Sequence, residues 1–176
     1  MEQFVTNEEI IQRARQNLAD GPWNYLVGAS ESETTMRRNR LAFDSVAFQP
    51  RVLIDVSKVD MSTSILGYQI SLPVLMAPIG SLQVFHPEAA VAVSQAAQEI
   101  STIHVVSSVT EPSLEETSAS ANNTKFYQLY IHGDWEWTKN MIDRVTQAVY
   151  KALCITVDSA SYSLRERPML SRWVPM

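Results

Sequence analysis

The sequence predicts an α/β protein with about four parallel βα units, preceded by an N-terminal helical segment and a β-hairpin. Three observations predict it. Continuous apolar runs at residues 74–77, 103–106, 126–130 and 153–157 alternate with stretches of helical periodicity, the pattern of a parallel sheet covered by helices. The runs start about 20 to 30 residues apart, as right-handed βαβ crossovers require. Each run stays apolar until its C-terminal end and turns polar there. One domain in two segments follows: residues 1–72 (helical cap, extended stretch and hairpin) and residues 73–176 (the βα units).

The elements can be justified in order. Thr6-Asn-Glu-Glu9 has the form of a capping box, a hydroxyl for the free N–H groups of a first turn with a glutamate three places on. Ile10, Ile11, Ala14 and Leu18 recur at helical spacing, and Asp20-Gly21-Pro22 is expected to stop that helix. Residues 23–28 read as a second short helix ended by Gly28, and residues 32–43 as a third. Phe48 to Ile54 is extended and interrupted by Pro50, and residues 63–71 read as a hairpin folded about Gly67. Helices are then expected near residues 87–100 and 113–119. Asp134 is placed to cap a helix carrying Trp137, Met141, Ile142, Val145 and Val149.

Composition bounds the function. A chain of 176 residues can hold one domain with a substantial core. Its 45% apolar and 19% charged residues exclude a disordered or collagenous chain. No apolar run reaches the roughly 18 residues of a membrane span. The net charge of −5 argues against nonspecific nucleic-acid binding; Arg37, Arg38 and Arg40 read as solvated surface. Cys154 is the one cysteine and has no intramolecular disulfide partner. With no apolar leader and no peroxisomal signal at the C-terminus, a cytoplasmic location is expected.

The strand ends carry the functional information. The runs end in Ala77-Pro78-Ile79-Gly80, Ser107-Ser108, Gln128-Leu129-Tyr130 and Thr156-Val157-Asp158. Carboxyl ends of parallel strands are where α/β barrels and open α/β sheets bind ligands. A single polar tip could be a loop cap; four in succession point to a shared site. Gly80 would let a planar ligand approach the backbone. No dinucleotide-type glycine pattern, phosphate loop or Cys-x-x-Cys pair competes. His86, His104 and His132 are not spaced as metal ligands. His104 and Cys154 read as core residues, and His86 as a contact at a helix start.

Tyr25, Gly28-Ala29, Asn39-Arg40-x-Ala42-Phe43, Pro50-Arg51-x-Leu53, Pro73-Val-Leu-Met-Ala77-Pro78 and His86-Pro87-Glu88 occur in that order, followed by the three later strand tips and Arg165. In this order and spacing the chain resembles the N-terminal half of the FMN-dependent 2-hydroxy acid oxidases and dehydrogenases. That family includes glycolate oxidase, lactate oxidase, mandelate dehydrogenase and the flavin domain of flavocytochrome b2.

The resemblance implies half of a TIM (β/α)8 barrel with FMN across its C-terminal face. Ala77, Pro78, Ile79 and Gly80 would line the flavin, and Ser107, Gln128 and Thr156 would hydrogen-bond its ring system. Tyr25 would hold the substrate carboxylate, and Arg165 would add positive potential at the mouth. Tyr130 would bond the 2-hydroxyl, and Asp158 would pair with a catalytic histidine. The implied reaction is oxidation of a small anionic 2-hydroxy acid to the 2-oxo acid. Aliphatic and aromatic substrates, and oxidase and dehydrogenase chemistry, are equally compatible with it. Many members carry Trp where Val109 follows the two serines, so a roomier pocket or another substrate is implied. The family's catalytic histidine, flavin-contacting lysine, main carboxylate-binding arginine and phosphate site lie in the second half and have no counterpart here. A truncated chain is therefore expected, inactive alone and completed by a second copy or a complementing C-terminal half that covers its open strand edges. The alternative is a non-catalytic half-barrel that acts through binding or assembly.

Overall fold

In the computed structural model, residues 4–159 and 161–174 are described, and they divide into two units, residues 4–54 with 161–174 and residues 55–159. In the first, Thr6 caps α1 (Asn7–Asn17) by accepting the Glu9 N–H at 3.3 Å. The Glu9 carboxylate returns to the N–H of Val5 at 2.9 Å, one residue before the partner a capping box would use. This helix ends earlier than expected. Asp20-Gly21-Pro22 does not stop it but forms the first turn of α2 (Asp20–Val27). At a helix start the missing N–H of Pro22 costs nothing. Gly21 is buried there, and a Cβ in its place would overlap the Trp173 ring. Gly28 ends α2 as expected, and α3 (Thr34–Asp44) follows. Residues 46–54 form neither helix nor strand.

The second unit opens with an antiparallel hairpin, β1 (Thr63–Ile65) and β2 (Tyr68–Ile70), in the register Thr63↔Ile70. Its two-residue turn, Leu66-Gly67, has φ of 50° and 83°. Both values are positive, as a type I′ hairpin turn requires. The first apolar run shrinks to a single parallel bridge, Met76 to His104. Met76 N–H donates to Ile103 O, and Met76 O accepts from Val105 N–H, both at 3.0 Å. Pro73 and Pro78 flank the run, and neither can donate to a ladder.

The remaining runs form the expected parallel sheet. After a 3-10 turn, Leu82–Val84, come α4 (Ala89–Glu99), β3 (His104–Ser107), α5 (Leu114–Ala119), β4 (Lys125–Leu129), α6 (Trp135–Gln147) and β5 (Ala152–Ile155). The strand order is β3-β4-β5, all parallel, with Ser107↔Gln128 and Gln128↔Cys154 in register. This is a partial α/β barrel. Ser113 and Glu116 form a complete capping box at α5, and Asp134 Oδ1 accepts the Trp137 N–H at 2.9 Å to start α6. The chain then returns to the first unit with α7 (Glu166–Leu170).

Alternation along the strands divides the core. Val106, Tyr127 and Leu129 pack with Leu114, Met141, Val145 and Tyr150. Val105 and Phe126 join Ile103 and Ile70, with Ile65 and Tyr68 of the hairpin packed against them. Each such side chain contributes roughly 1.5–3 kcal/mol by leaving water. Cys154, expected in the core, is exposed. It lies on β5, an edge strand of the sheet, whose last two residues, Cys154 and Ile155, are exposed.

His104 is a core residue, as expected. It is buried, with Ser94 Oγ 2.9 Å from Nδ1. Burial, helped by the charge of Lys125, pushes its pKa down from 6.5 to about 4. Lys125, its register partner, is also buried. The Lys125 ammonium donates to the carbonyls of Ala121 at 2.5 Å and of Ser118 and Asn123 at 3.4 Å. Desolvation lowers its pKa. Both residues sit at the N-terminal ends of their strands, away from the polar tips.

Candidate functional site

At the C-terminal end of the sheet the polar tips are joined to one another. Ser107 Oγ donates to Gln128 Oε1 at 2.8 Å, and Gln128 Nε2 donates to Thr156 Oγ1 at 2.6 Å. One line of side chains thus crosses β3, β4 and the end of β5. Parallel register brings it about, because Ser107 and Gln128 are paired residues and Thr156 N–H continues the ladder to Leu129 O at 3.0 Å. Ser107 and Gln128 are buried, while Thr156 is half-buried. The amide fixes the direction of the chain of bonds. It uses its oxygen on Ser107 and one N–H on Thr156, leaving a second N–H and the Thr156 hydroxyl proton to donate elsewhere.

Gly80 belongs to the same rim. A Cβ there would lie 2.8 Å from Val109 Cγ2 and 4.0 Å from Ser107 Oγ. Ser81 N–H donates to Val109 O at 2.8 Å, holding the loop after the first run against the loop after β3. The peptide N–H groups of Ala77, Ile79 and Gly80 take part in none of the backbone hydrogen bonds among the described residues. The missing Cβ of Gly80 makes room for the Val109 side chain, and the row of donors and acceptors across the strand tips fits the mixed-polarity edge of a planar heteroaromatic group such as a flavin.

Tyr130 and Asp158 follow the same strand tips. Tyr130 is half-buried, with its N–H donating to Ser108 Oγ at 3.1 Å and its ring 6.0 Å from that of His132. Asp158 is exposed and makes no ion pair among the described residues. The adjacent serines therefore divide their roles, Ser107 bonding the Gln128 side chain and Ser108 the backbone of Tyr130. Sequence reasoning marked both serines and gave a role only to the first.

Tyr25 and Arg165 lie together in the other unit. The Arg165 guanidinium stacks 4.7 Å over the Tyr25 ring, and its Nη1 donates to Tyr25 O at 3.4 Å. The Trp173 ring centroid is 5.4 Å from that of Tyr25. A clamp that sequence reasoning missed fixes this cluster. Glu33 pairs with Arg167 through both carboxylate oxygens at 2.5 Å, and its Oε1 also accepts the Ala29 N–H at 3.3 Å. Glu33 adopts φ 59°, ψ 22°, a left-handed conformation unfavourable for a residue with a Cβ. The Arg167 hydrogen bond, with lesser help from the Ala29 N–H, holds the Glu33 carboxyl below its usual range. Asn24 Nδ2 to Ser171 Oγ and Glu31 N–H to Leu164 O add further ties. No local pattern announces a pair 134 residues apart; the one available signal was an arginine next but one to Arg165.

Comparison with known proteins gives one consistent result. A family model described as FMN-dependent dehydrogenase matches residues 14–174. A peroxisomal (S)-2-hydroxyacid oxidase of Arabidopsis thaliana is 36% identical over 174 residues, 99% of this chain and 48% of the relative. Glycolate oxidase 1 of Zea mays is 36% identical over 161 residues, 92% of this chain and 44% of the relative. Among solved structures, a mandelate oxidase superposes with a TM-score of 0.90 at 29% identity, covering 97% of this chain and 51% of its own. The chain spans about half the length of the relatives it matches.

Proposed function

The chain belongs to the FMN-dependent dehydrogenase family, and from that premise we propose that it builds one half of a site that oxidises a small 2-hydroxy acid to the 2-oxo acid with FMN. The observation that carries this is the line Ser107–Gln128–Thr156 across three strand tips, with Gly80 beside it. FMN, when bound, supplies the two-electron acceptor.

The chain's own residues bind and orient. Ala77, Pro78, Ile79 and Gly80 would line the ring, and Ser107, Gln128 and Thr156 would hold its polar edge. The Tyr130 hydroxyl would bond the substrate's 2-hydroxyl, from a backbone anchored on Ser108. Asp158 would orient a histidine supplied by the other half and favour its protonated form. Tyr25 and Arg165 would take the substrate carboxylate, through a guanidinium already ordered by stacking. The histidines present have other partners. His104 is buried against Ser94, His86 Nδ1 accepts the Glu88 N–H at 3.2 Å, and His132 packs near Tyr130 and Trp137.

We further propose that the chain works as a homo-oligomer or with a complementing half. β5 is an edge strand, and Ile155 and Val157 are exposed at its end; sedimentation velocity should return a species larger than the monomer. The single unpaired thiol suits a cytoplasmic setting. Among the described residues no helix is long and apolar enough to cross a membrane.

Flavin titration tests the main proposal. The chain should quench FMN and riboflavin fluorescence saturably and to similar extents, because the proposed contacts are to the ring and not to the phosphate. A folded chain that leaves both flavins unquenched would overturn it.

A further inference from the structure

Building on the function proposed above, we propose that the substrates are 2-hydroxy acids with an apolar tail, aromatic or of medium chain length, in preference to glycolate. The first unit holds an open cavity of about 430 Å³. Tyr25, Tyr162, Leu164, Met169 and Trp173 supply aromatic and aliphatic wall, and Arg165 is the one charged residue lining it. Arg165 is half-buried, stacked on Tyr25 and bonded to its carbonyl. Unlike Arg15 and Arg167, which pair with Asp20 and Glu33, it has no carboxylate partner among the described residues.

A lone guanidinium in an otherwise apolar cavity matches a monoanion with a hydrocarbon body. Leu164 and Met169 are more than half exposed, so a ligand that covers them removes apolar surface from water. Glycolate has a single methylene and would leave that wall wet. A longer side chain should gain roughly fourfold in affinity for each methylene that leaves water.

The test titrates the full 176-residue chain with glycolate, mandelate, 2-hydroxyoctanoate and octan-1-ol. The readout is tryptophan fluorescence, assigned to the cavity by its loss in Trp173→Phe. Mandelate and 2-hydroxyoctanoate should bind at least about tenfold more tightly than glycolate, and octan-1-ol should not compete. Met169→Ser should narrow that ratio. Arg165→Met should abolish acid binding with the far-ultraviolet circular dichroism intact. Equal or tighter glycolate binding, octan-1-ol binding as well as the acids, or no acid binding would each overturn the inference. If flavin binds and acids show no preference, this inference alone fails. If flavin does not bind, the functional proposal fails first and the substrate class falls with it.

Discussion

In residues 55–159 the side chains of Ser107, Gln128 and Thr156 bond to one another on strands whose other residues fill a two-faced core. In residues 4–54 and 161–174 only Gly21 and Pro168 are buried among the described residues, and Tyr25 meets Arg165 through ring stacking beside a clamp whose Arg167 side is open to solvent. The first arrangement is held by burial, which is insensitive to salt. The second is held by a few polar contacts, which are not. The proposed flavin contacts are thus pre-organised by the sheet, while the proposed carboxylate contacts stand on an element that can open at low cost.

The sharpest way to break that comparison is to damage the core. Leu129 is fully buried, and Leu129→Ala should cost about 2–5 kcal/mol. Hydrogen exchange should then lose protection across residues 104–155 while α1 to α3 keep theirs. Equal loss in both units would show that they melt as one block and that the contrast is false.

Acid should separate the units next. His104 is held neutral by burial, with Lys125 the cation beside it and Ser94 its hydrogen-bond partner. Its pKa is depressed from 6.5 to about 4, so between those values the unfolded chain binds the extra proton. Stability therefore falls as pH drops through that window, by on the order of 3 kcal/mol across it. Urea titrations at pH 7 and pH 5 should show the loss, and His104→Gln should flatten it. A wild-type midpoint that stays constant would refute the assignment.

Smaller and more local is the effect of Gln128→Leu. It leaves the Ser107 hydroxyl buried without its acceptor and Thr156 without its donor. That should cost about 1–3 kcal/mol and weaken flavin binding at least about tenfold, with acid binding in the other unit unchanged. Flavin affinity equal to wild type would remove this amide from the site.

What could be read in the chain followed the same division. Parallel strands of the sheet, their order of polar tips and the caps at Thr6 and Asp134 rest on neighbours in sequence or on a two-residue alternation, and both are visible in a string of letters. Met76 keeps only one bridge because Pro73 and Pro78 flank it, a local fact that an apolar run conceals. The apolar neighbours of Cys154 predict a core position, yet burial on an edge strand depends on what lies beyond the edge. Gly21-Pro22 stops one helix and starts another equally well by composition, and only the packing of Trp173 against Gly21 decides between them. The burial of Lys125 under three carbonyls and the Glu33–Arg167 pair depend on loops brought together by the fold, for which no spacing rule exists.

The gentlest perturbation addresses the clamp itself. Glu33→Gln keeps the shape and the Ala29 hydrogen bond but removes the charge that faces Arg167. The Glu33 carboxyl titrates below its usual 4.5 because the folded chain favours the ionised form. Its contribution is therefore complete above that value and disappears as pH falls through the lowered one. Acid binding at neutral pH should weaken in the variant by less than about tenfold, the scale of a partly exposed pair. The wild type should approach the variant as salt rises toward about 1 M, where screening shortens to roughly 3 Å. Flavin binding should not change, because its proposed contacts lie on the other unit. If Glu33→Gln weakened flavin and acid binding alike, the two units would share one scaffold. The clamp would then be part of the sheet's own rigidity and not a separate hold on Tyr25 and Arg165.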